Sequence, residues 1–445
     1  MGAVLPEGYK DSPVGAIPND WDAYPLKTVA DINPAKSKLD ESDQVTFLGM
    51  ADLSESGHVI GGEIKEYSTV SSGFTSFVDD DVLVAKITPC FENGKGAHVS
   101  ELTNGVGFGS TEFHVLRAKP LVAPGYLYRV IYTEEFRTQG ERNMVGSAGQ
   151  RRVPTDFIKN FIVALPPLPE QKKIARILST VDSKLALIDQ QITATQTLKK
   201  GLMQKLFSEG VGTQDADGKW QPHTEFKDSE LGRIPVGWEV KSIRQALQMV
   251  ERPVDMSDHC EYQLVTVKRR YGGVVERSKL LGKDIKVKSQ YYLKAGDFLI
   301  SKRQIVHGAC GIVPNDLEGA IVSNEYHSFR AKPDFDLEYI SRLVQTPHYL
   351  NSFLLSSIGV HIEKMLFKYE QWAKFEIPVP PIDEQQRISK VFSTVDRKLE
   401  RLTTQKTQTE HLKKGLMQKL LTGQIRVKPD SQAVSYTHLT LPTKA

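Results

Sequence analysis

At 445 residues the chain is long enough for two or three domains with full hydrophobic cores. Its 40% hydrophobic and 25% charged content is ordinary for a globular protein, and a net charge of +3 does not by itself call for nucleic acid. Cys90, Cys260 and Cys310 lack metal-like spacing and no apolar run could cross a bilayer, so a cytoplasmic protein, neither secreted nor membrane-spanning, is expected.

The first element is a short entry motif, KDSPVGAIPNDW at residues 10–21. A globular stretch follows. In it Asp81-Val82-Leu83-Val84-Ala85-Lys86 reads as a buried strand delivering a cation to a rim. Ser110-Thr111-Glu112-Phe113-His114 leads into Arg-Ala-Lys-Pro at 117, and residues 126–136 read as more helical. The Gly-rich turn GSAGQ then places Arg151 and Arg152 on a loop.

Residues 165–207, LPPLPEQKKIARILSTVDSKLALIDQQITATQTLKKGLMQKLF, read as one long helix. Pro166 and Pro167 end the preceding strand, and Glu170 places negative charge at the positive end of the helix dipole. Ile174, Leu178, Val181, Leu185, Ile188 and Ile192 keep the heptad rhythm of a coiled-coil seam. At about 1.5 Å per residue the helix is roughly 55 Å long.

Everything then happens again. The Gly- and Asp-rich stretch SEGVGTQDADGKWQPHTEF reads as a linker, and KDSELGRIPVGW at 227–238 repeats the entry motif. Asp297-Phe298-Leu299-Ile300-Ser301-Lys302 answers the strand ending at Lys86, and Ser323-Asn324-Glu325-Tyr326-His327 answers the stretch ending at His114. Residues 337–355 are the more helical portion. VPPIDEQQRISKVFSTVDRKLERLTTQKTQTEHLKKGLMQKLL, from Val379, repeats the long helix at a constant offset: Glu384 minus Glu170 and Lys419 minus Lys205 both give 214. Ile388, Phe392, Val395, Leu399 and Leu402 continue the seam; it turns polar at Thr195, Lys406 and Thr409 and resumes at Leu202 and Leu416. A period this long implies a duplicated unit rather than a solenoid, and two such helices are expected to pair with each other. The partition is a domain over 1–165, a helix over 166–210, a linker over 211–226, a second domain over 227–379 and a second helix over 380–425. The tail 426–445, including PDSQAVSYTHLTLPTKA, follows no pattern and is expected to be disordered or non-native.

An α+β scaffold kept twice, with different loops and an almost unvaried helix, suggests two different targets read at a fixed separation. Arg, Lys, Gln, Asn and Tyr on loops suit phosphate positioning and base-edge hydrogen bonding. The candidates are Lys86, Asn93, Lys95, Arg151 and Arg152 in the first domain. In the second they are Lys268, Arg269, Arg270, Tyr271, Lys302, Arg303 and Gln304. An ordinary solvated charged surface is the alternative for any single one of them. Catalytic patterns are missing. There is no GxxxxGK[ST] phosphate loop, and Phe91-Glu92-Asn93-Gly94-Lys95-Gly96 lacks the upstream Gly and the Ser or Thr. Pro166-Pro167 is followed by Leu, not the aromatic of an adenine methyltransferase loop, and Asp52 with Glu63 and Lys65 makes no convincing nuclease site. His58, His98 and His307 have no ligand or triad spacing, and His114 and His327 read as packed residues.

PPLPEQKKIARILSTVD, PPIDEQQRISKVFSTVD, both LKKGLMQKL runs, GRIPVGW and TGQIRV together resemble the specificity (S) subunit of type I restriction-modification systems. The resemblance implies two similar α+β target-recognition domains, each followed by a long helix, the helices pairing as an antiparallel coiled coil. It implies a non-catalytic subunit that binds a bipartite, asymmetric double-stranded DNA site with an unread spacer. Partners would be modification (methyltransferase) subunits, two of them, and restriction subunits; S-adenosylmethionine, ATP and Mg2+ would bind those partners. Half-sites about one turn apart, roughly 34–36 Å, and an unread gap of roughly 5–8 base pairs are expected. The rivals are a stand-alone sequence-specific DNA-binding protein and a coiled-coil scaffold that binds proteins. Steep salt dependence would separate DNA binding from the scaffold.

Overall fold

The structure, a computed structural model, describes residues 5–147 and 149–428. It divides into two units, residues 1–189 with 405–445 and residues 190–404, so that each long helix contributes to both. In unit one the run Val82–Ala85 is buried throughout, which is why it reads as continuously apolar rather than alternating. Val82 and Val84 join a core with Phe91, Tyr126 and Phe136, whereas Leu83 joins another with Phe77, Phe113 and Val115. The run lies in an antiparallel sheet ordered Ala30–Ile32, Phe113–Ala118, Val82–Ala85, Gly96–His98. A second sheet orders Glu63–Glu66, Gln44–Leu48, Val106–Gly109 and Thr75–Val78, with a parallel pair at its centre.

Unit two has the same plan. Leu247–Val250, Tyr326–Ala331, Phe298–Ser301 and Cys310–Ile312 form the antiparallel sheet, and Phe298 and Ile300 join one core while Leu299 joins the other. Its second sheet orders Val274–Leu281, Glu261–Val267, Ile321–Ser323 and Gln290–Tyr292. In each unit a ribbon ties the domain's end to its beginning. Ile162–Leu165 pairs with Asp22–Pro25, and Glu376–Val379 pairs with Glu239–Ser242. The helical portions are Pro124–Ile131 with Glu134–Arg142, and Leu337–Leu343 with Pro347–Leu355.

The repeated helices span Leu168–Leu206 and Ile382–Leu421. Their shared strings now have physical reasons. In unit one the STVD aspartate, Asp182, is buried between Arg129 of the Pro124–Ile131 helix and Lys413, the first lysine of the other helix's LKK run, at 2.6 Å. Burial alone would raise the Asp182 carboxyl's pKa, but Arg129 and Lys413 hold it below the usual range. In unit two the second STVD aspartate, Asp396, meets Arg342 and, at 2.7 Å, the LKK lysine Lys199. With Asp189 and Lys406 paired at 2.7 Å, unit one has two contacts whose residue numbers run in opposite directions, so the helices pass antiparallel there. The polar break in the seam is buried as well. Thr195 and Thr409 are 4% and 5% exposed, and each hydroxyl donates 2.7 Å to the carbonyl four residues back. The hydroxyl is satisfied within its own helix, so the residue packs into the seam without an orphaned donor.

Glu170 and Glu384 do more than complement a helix dipole. Glu170, 3% exposed, accepts from Trp21 Nε1 at 3.3 Å, from Arg426 at 2.9 and 2.8 Å, and from the Val427 amide at 3.2 Å. Glu384, 2% exposed, accepts from Trp238 Nε1 at 2.8 Å and from the Val211 and Gly212 amides at 2.9 and 3.0 Å. His223 Nε2 lies 2.9 Å away on a fourth side. Each carboxylate thus joins the entry tryptophan to the segment that follows a long helix. The next residue reinforces the junction. Gln171 binds Ala123, Leu121 and Pro166 main-chain groups, and Gln385 binds those of Asp336, Asp334 and Pro380.

Two expectations change. The stretch 211–226 is not a plain linker: Thr213–Gln214 pairs with Trp220–Gln221 in a hairpin whose turn is closed by Asp215, and its start is held by Glu384. Arg426 and Val427, placed in the tail, belong to unit one through Glu170 and Asp20. The rest of the tail, 429–445, lies outside the described residues.

Removing the Glu384 carboxylate would strand several donors in a site closed to water. Glu384→Ala should therefore cost about 3 kcal/mol or more, each orphaned buried donor being worth roughly 1–3. Glu209→Ala, an exposed control, should stay within about 0.5 kcal/mol. Chemical denaturation of both variants checks this; equal stabilities would show that the junction is not a clamp.

Candidate nucleic-acid interface

The strand ending at residue 85 stops where Lys86 becomes half-buried, and the strand ending at 301 stops at Lys302. The same backbone bond holds each lysine. Lys86 N donates to Glu112 O and Lys302 N to Glu325 O, at 2.9 Å in both. Burial lowers the Lys302 ammonium pKa.

Around Lys86 the structure gathers Arg152 and Arg151. Arg152 forks onto Glu112, with Nε at 3.1 and 3.0 Å and Nη2 at 2.8 Å, and the hydrogen bond from Arg152 holds the Glu112 carboxyl below its ordinary pKa. Arg151 lies 3.6 Å from Glu92. Asn93 and Lys95 form a different group. Asn93 Nδ2 donates to Glu55 at 2.9 Å, and Lys95 Nζ to the Met50 carbonyl at 3.0 Å. Those bonds dock the loop on the segment 50–55, so the Lys95 ammonium is engaged by main chain.

In unit two the structure unites clusters that are more than thirty residues apart in sequence. Arg269 Nε donates to Gln304 Oε1 at 2.8 Å, and its Nη2 reaches Glu363 at 2.6 Å. Arg303 forks onto Glu325 at 2.7 and 3.3 Å. Arg270 and Tyr271 both occupy the left-handed region, φ +57° and +56°, where side chains are disfavoured. Their amides donate to His307 O and Gly308 O, which pins the strained turn to residues 304–308. Tyr271 also reaches Val344 O at 3.3 Å, and its phenol is driven to higher pKa by burial. Gly308, with positive φ, lies where a Cβ would press on the Tyr271 ring at 3.1 Å. Lys268 and Arg270 stand exposed, and among the described residues Arg270 makes no side-chain hydrogen bond or ion pair. The site is a set of loop cations, several held by carboxylates.

Those carboxylates, Glu112, Glu325 and Glu363, were not among the residues singled out from sequence. Glu112 and Glu325 stand at the centres of the repeated stretches 110–114 and 323–327, a signal that was available. Among the described residues, no group of three or more His, Cys, Asp or Glu side chains is placed to hold a metal, and no helix is long and apolar enough to cross a membrane.

The family model for the type I restriction modification DNA specificity domain matches twice, over residues 18–196 and 235–411. The chain belongs to this family. It is 34% identical over 217 residues to the specificity subunit of the type I restriction enzyme EcoAI of Escherichia coli, 48% of this chain and 36% of that one. The match thus spans about a third of that relative's length. Over 309 residues it is 29% identical to the specificity subunit of the type I restriction enzyme MjaVIII of Methanocaldococcus jannaschii, 67% of this chain and 70% of that one. In fold it is similar to the S subunit of the type I restriction-modification system of M. genitalium, with a TM-score of 0.53 at 13% identity over 90% of this chain and 96% of that chain.

In this member of the family the two paired histidines are packing residues. His114, 3% exposed, contacts the Val153 carbonyl at 2.9 Å and Asn33 at 3.2 Å. Burial pushes its pKa from 6.5 down to about 4. His327 is lowered to about 4 as well, by burial and then by Lys302. The native state thus resists a proton that the unfolded chain accepts, so stability is full above about pH 6.5 and falls as pH drops toward 4. His114 alone should contribute a loss of about 1.4 kcal/mol per pH unit in that window. Urea unfolding between pH 7 and 5 should show a shallower fall for His114→Asn; an unchanged slope would mean that the imidazole protonates in place.

Proposed function

We propose that this chain is the DNA sequence-recognition subunit of a type I restriction-modification complex. It binds a bipartite, asymmetric site with an unread spacer and directs partner subunits to it. One observation carries the reading: two units share a scaffold down to equivalent hydrogen bonds at Lys86 and Lys302, yet present different cationic loops. A shared scaffold with different loops suits two readers of different words. Lys86, Arg151, Arg152 and, at the docked loop, Asn93 and Lys95 would serve one half-site. Lys268, Arg269, Arg270, Tyr271, Lys302, Arg303 and Gln304 would serve the other. Exposed Lys268 and Arg270 suit phosphate contacts, and the held guanidiniums suit base edges. The repeated long helices would fix the unread gap.

The chain itself performs no chemistry in this account. Methyl transfer from S-adenosylmethionine and ATP- and Mg2+-dependent cleavage belong to modification subunits, two per complex, and to restriction subunits. The specificity subunits among its relatives support that division of labour.

Independent reading is tested by exchanging residues 21–165 for the first domain of another family member, in an active modification complex. One half of the methylated motif should change and the other half should stay. Alteration of both halves, or of neither, would contradict it.

A further inference from the structure

The two units keep a glutamate in one place and deliver an arginine to it by different routes. Val153 N donates to Lys86 O at 2.8 Å, and Phe367 N donates to Lys302 O at 2.9 Å. Those bonds make Arg152 equivalent to Leu366, and Ile87 equivalent to Arg303. Unit one therefore has isoleucine after the lysine and arginine on the facing segment; unit two has arginine after the lysine and leucine on the facing segment. Cation and apolar residue have traded places while the carboxylate stayed. Stability is a weak reason for this, since ion pairs this exposed contribute little: the arginine side chains are 43% and 54% exposed.

The geometry of the pairs supplies another reason. Glu112 takes Nε and Nη2 of Arg152, and Glu325 takes Nε and Nη2 of Arg303. A guanidinium has five N–H donors in a rigid plane, and this side-on grip uses one edge of it. The edge formed by Nη1 and Nη2 remains, and it matches guanine O6 and N7. In unit one Nη1 also touches the Gln150 carbonyl at 3.3 Å, a long bond that base contact could replace.

We propose that Glu112 and Glu325 are positioning residues for base reading, each aiming one arginine at a guanine in its own unit's half-site. The inference rests on the DNA-recognition reading above. The carboxylate fixes the plane of a side chain that would otherwise sample many rotamers. It also cancels a charge that would otherwise draw any phosphate, so it raises discrimination while lowering indiscriminate attraction.

The test uses the chain bound to its modification subunits and duplexes carrying its own methylated motif. Each guanine is replaced in turn by 7-deazaguanine, which lacks the N7 acceptor. For the unaltered complex, one replacement in each half should weaken binding roughly ten-fold. Glu325→Gln should remove that sensitivity in one half only, and Glu112→Gln in the other half only. Binding to an unrelated duplex should be unchanged or tighter in both variants, because a negative charge is gone. Arg303→Lys should lose the same position as Glu325→Gln. Variants that keep the full pattern, or that shift every duplex by one common factor, would overturn the proposal. An unaltered complex that shows no preference for its motif over the unrelated duplex would instead sink the DNA-recognition reading itself.

Discussion

The buried carboxylate at the start of each long helix is the constraint on which the rest depends. Glu170 and Glu384 each face a tryptophan indole from the entry motif and main-chain or side-chain donors from the segment that follows a long helix. A carboxylate taken out of water is costly unless its lone pairs are filled, and here three or four partners fill them. The partners differ: a permanently charged guanidinium, Arg426, in unit one, and an imidazole, His223, with two amides in unit two. The junction therefore specifies a geometry rather than one set of residues. It gathers a domain's entry and the start of its helix at one point, and the ribbon beside it holds the domain's exit there too. The loops at Lys86 and Lys302 are thereby relieved of holding the domain closed, and their sequences can differ.

Local electrostatics at those loops matter more than the overall charge. A net charge of +3 gives little long-range pull toward a polyanion. Several of the loop cations are moreover paired: Arg152 with Glu112, Arg303 with Glu325, Arg269 with Glu363. Such pairs fit the proposed role, in which wrong sequences must be left readily, since phosphate attraction is the part of DNA affinity that carries no sequence information.

Much of the architecture was legible because it is written twice. The heptad steps from Ile174 and from Ile388 named the seam, and the identical STVD and LKK strings proved to be the two ends of one ionic contact, Asp182 with Lys413 and Asp396 with Lys199. The apolar runs before Lys86 and Lys302 were read as buried strands because burial on both faces erases alternation. Other features were hidden by distance or by composition. Gly and Asp serve a tight hairpin turn as readily as a linker, so 211–226 looked unstructured. The bond from Lys95 to Met50 O has no local signature, because the acceptor lies 45 residues earlier. The role of Glu170 was half-seen: charge at a helix start suggests a dipole, and nothing local announces Trp21 or Arg426. The positive φ of Arg270 and Tyr271 has no sequence signature, as neither residue favours it. The glutamates that hold the arginines lie 40 and 22 residues from them in sequence, so no local pattern joins the partners.

The central claim is that each unit reads its own DNA word. Sequencing the methylated positions in the genome of a host that carries this chain with its modification subunits tests it most directly. The account predicts one motif made of two short, different, specified halves around an unread gap, present with the chain and gone without it. A continuous or palindromic motif, or methylation indifferent to the chain, would contradict it.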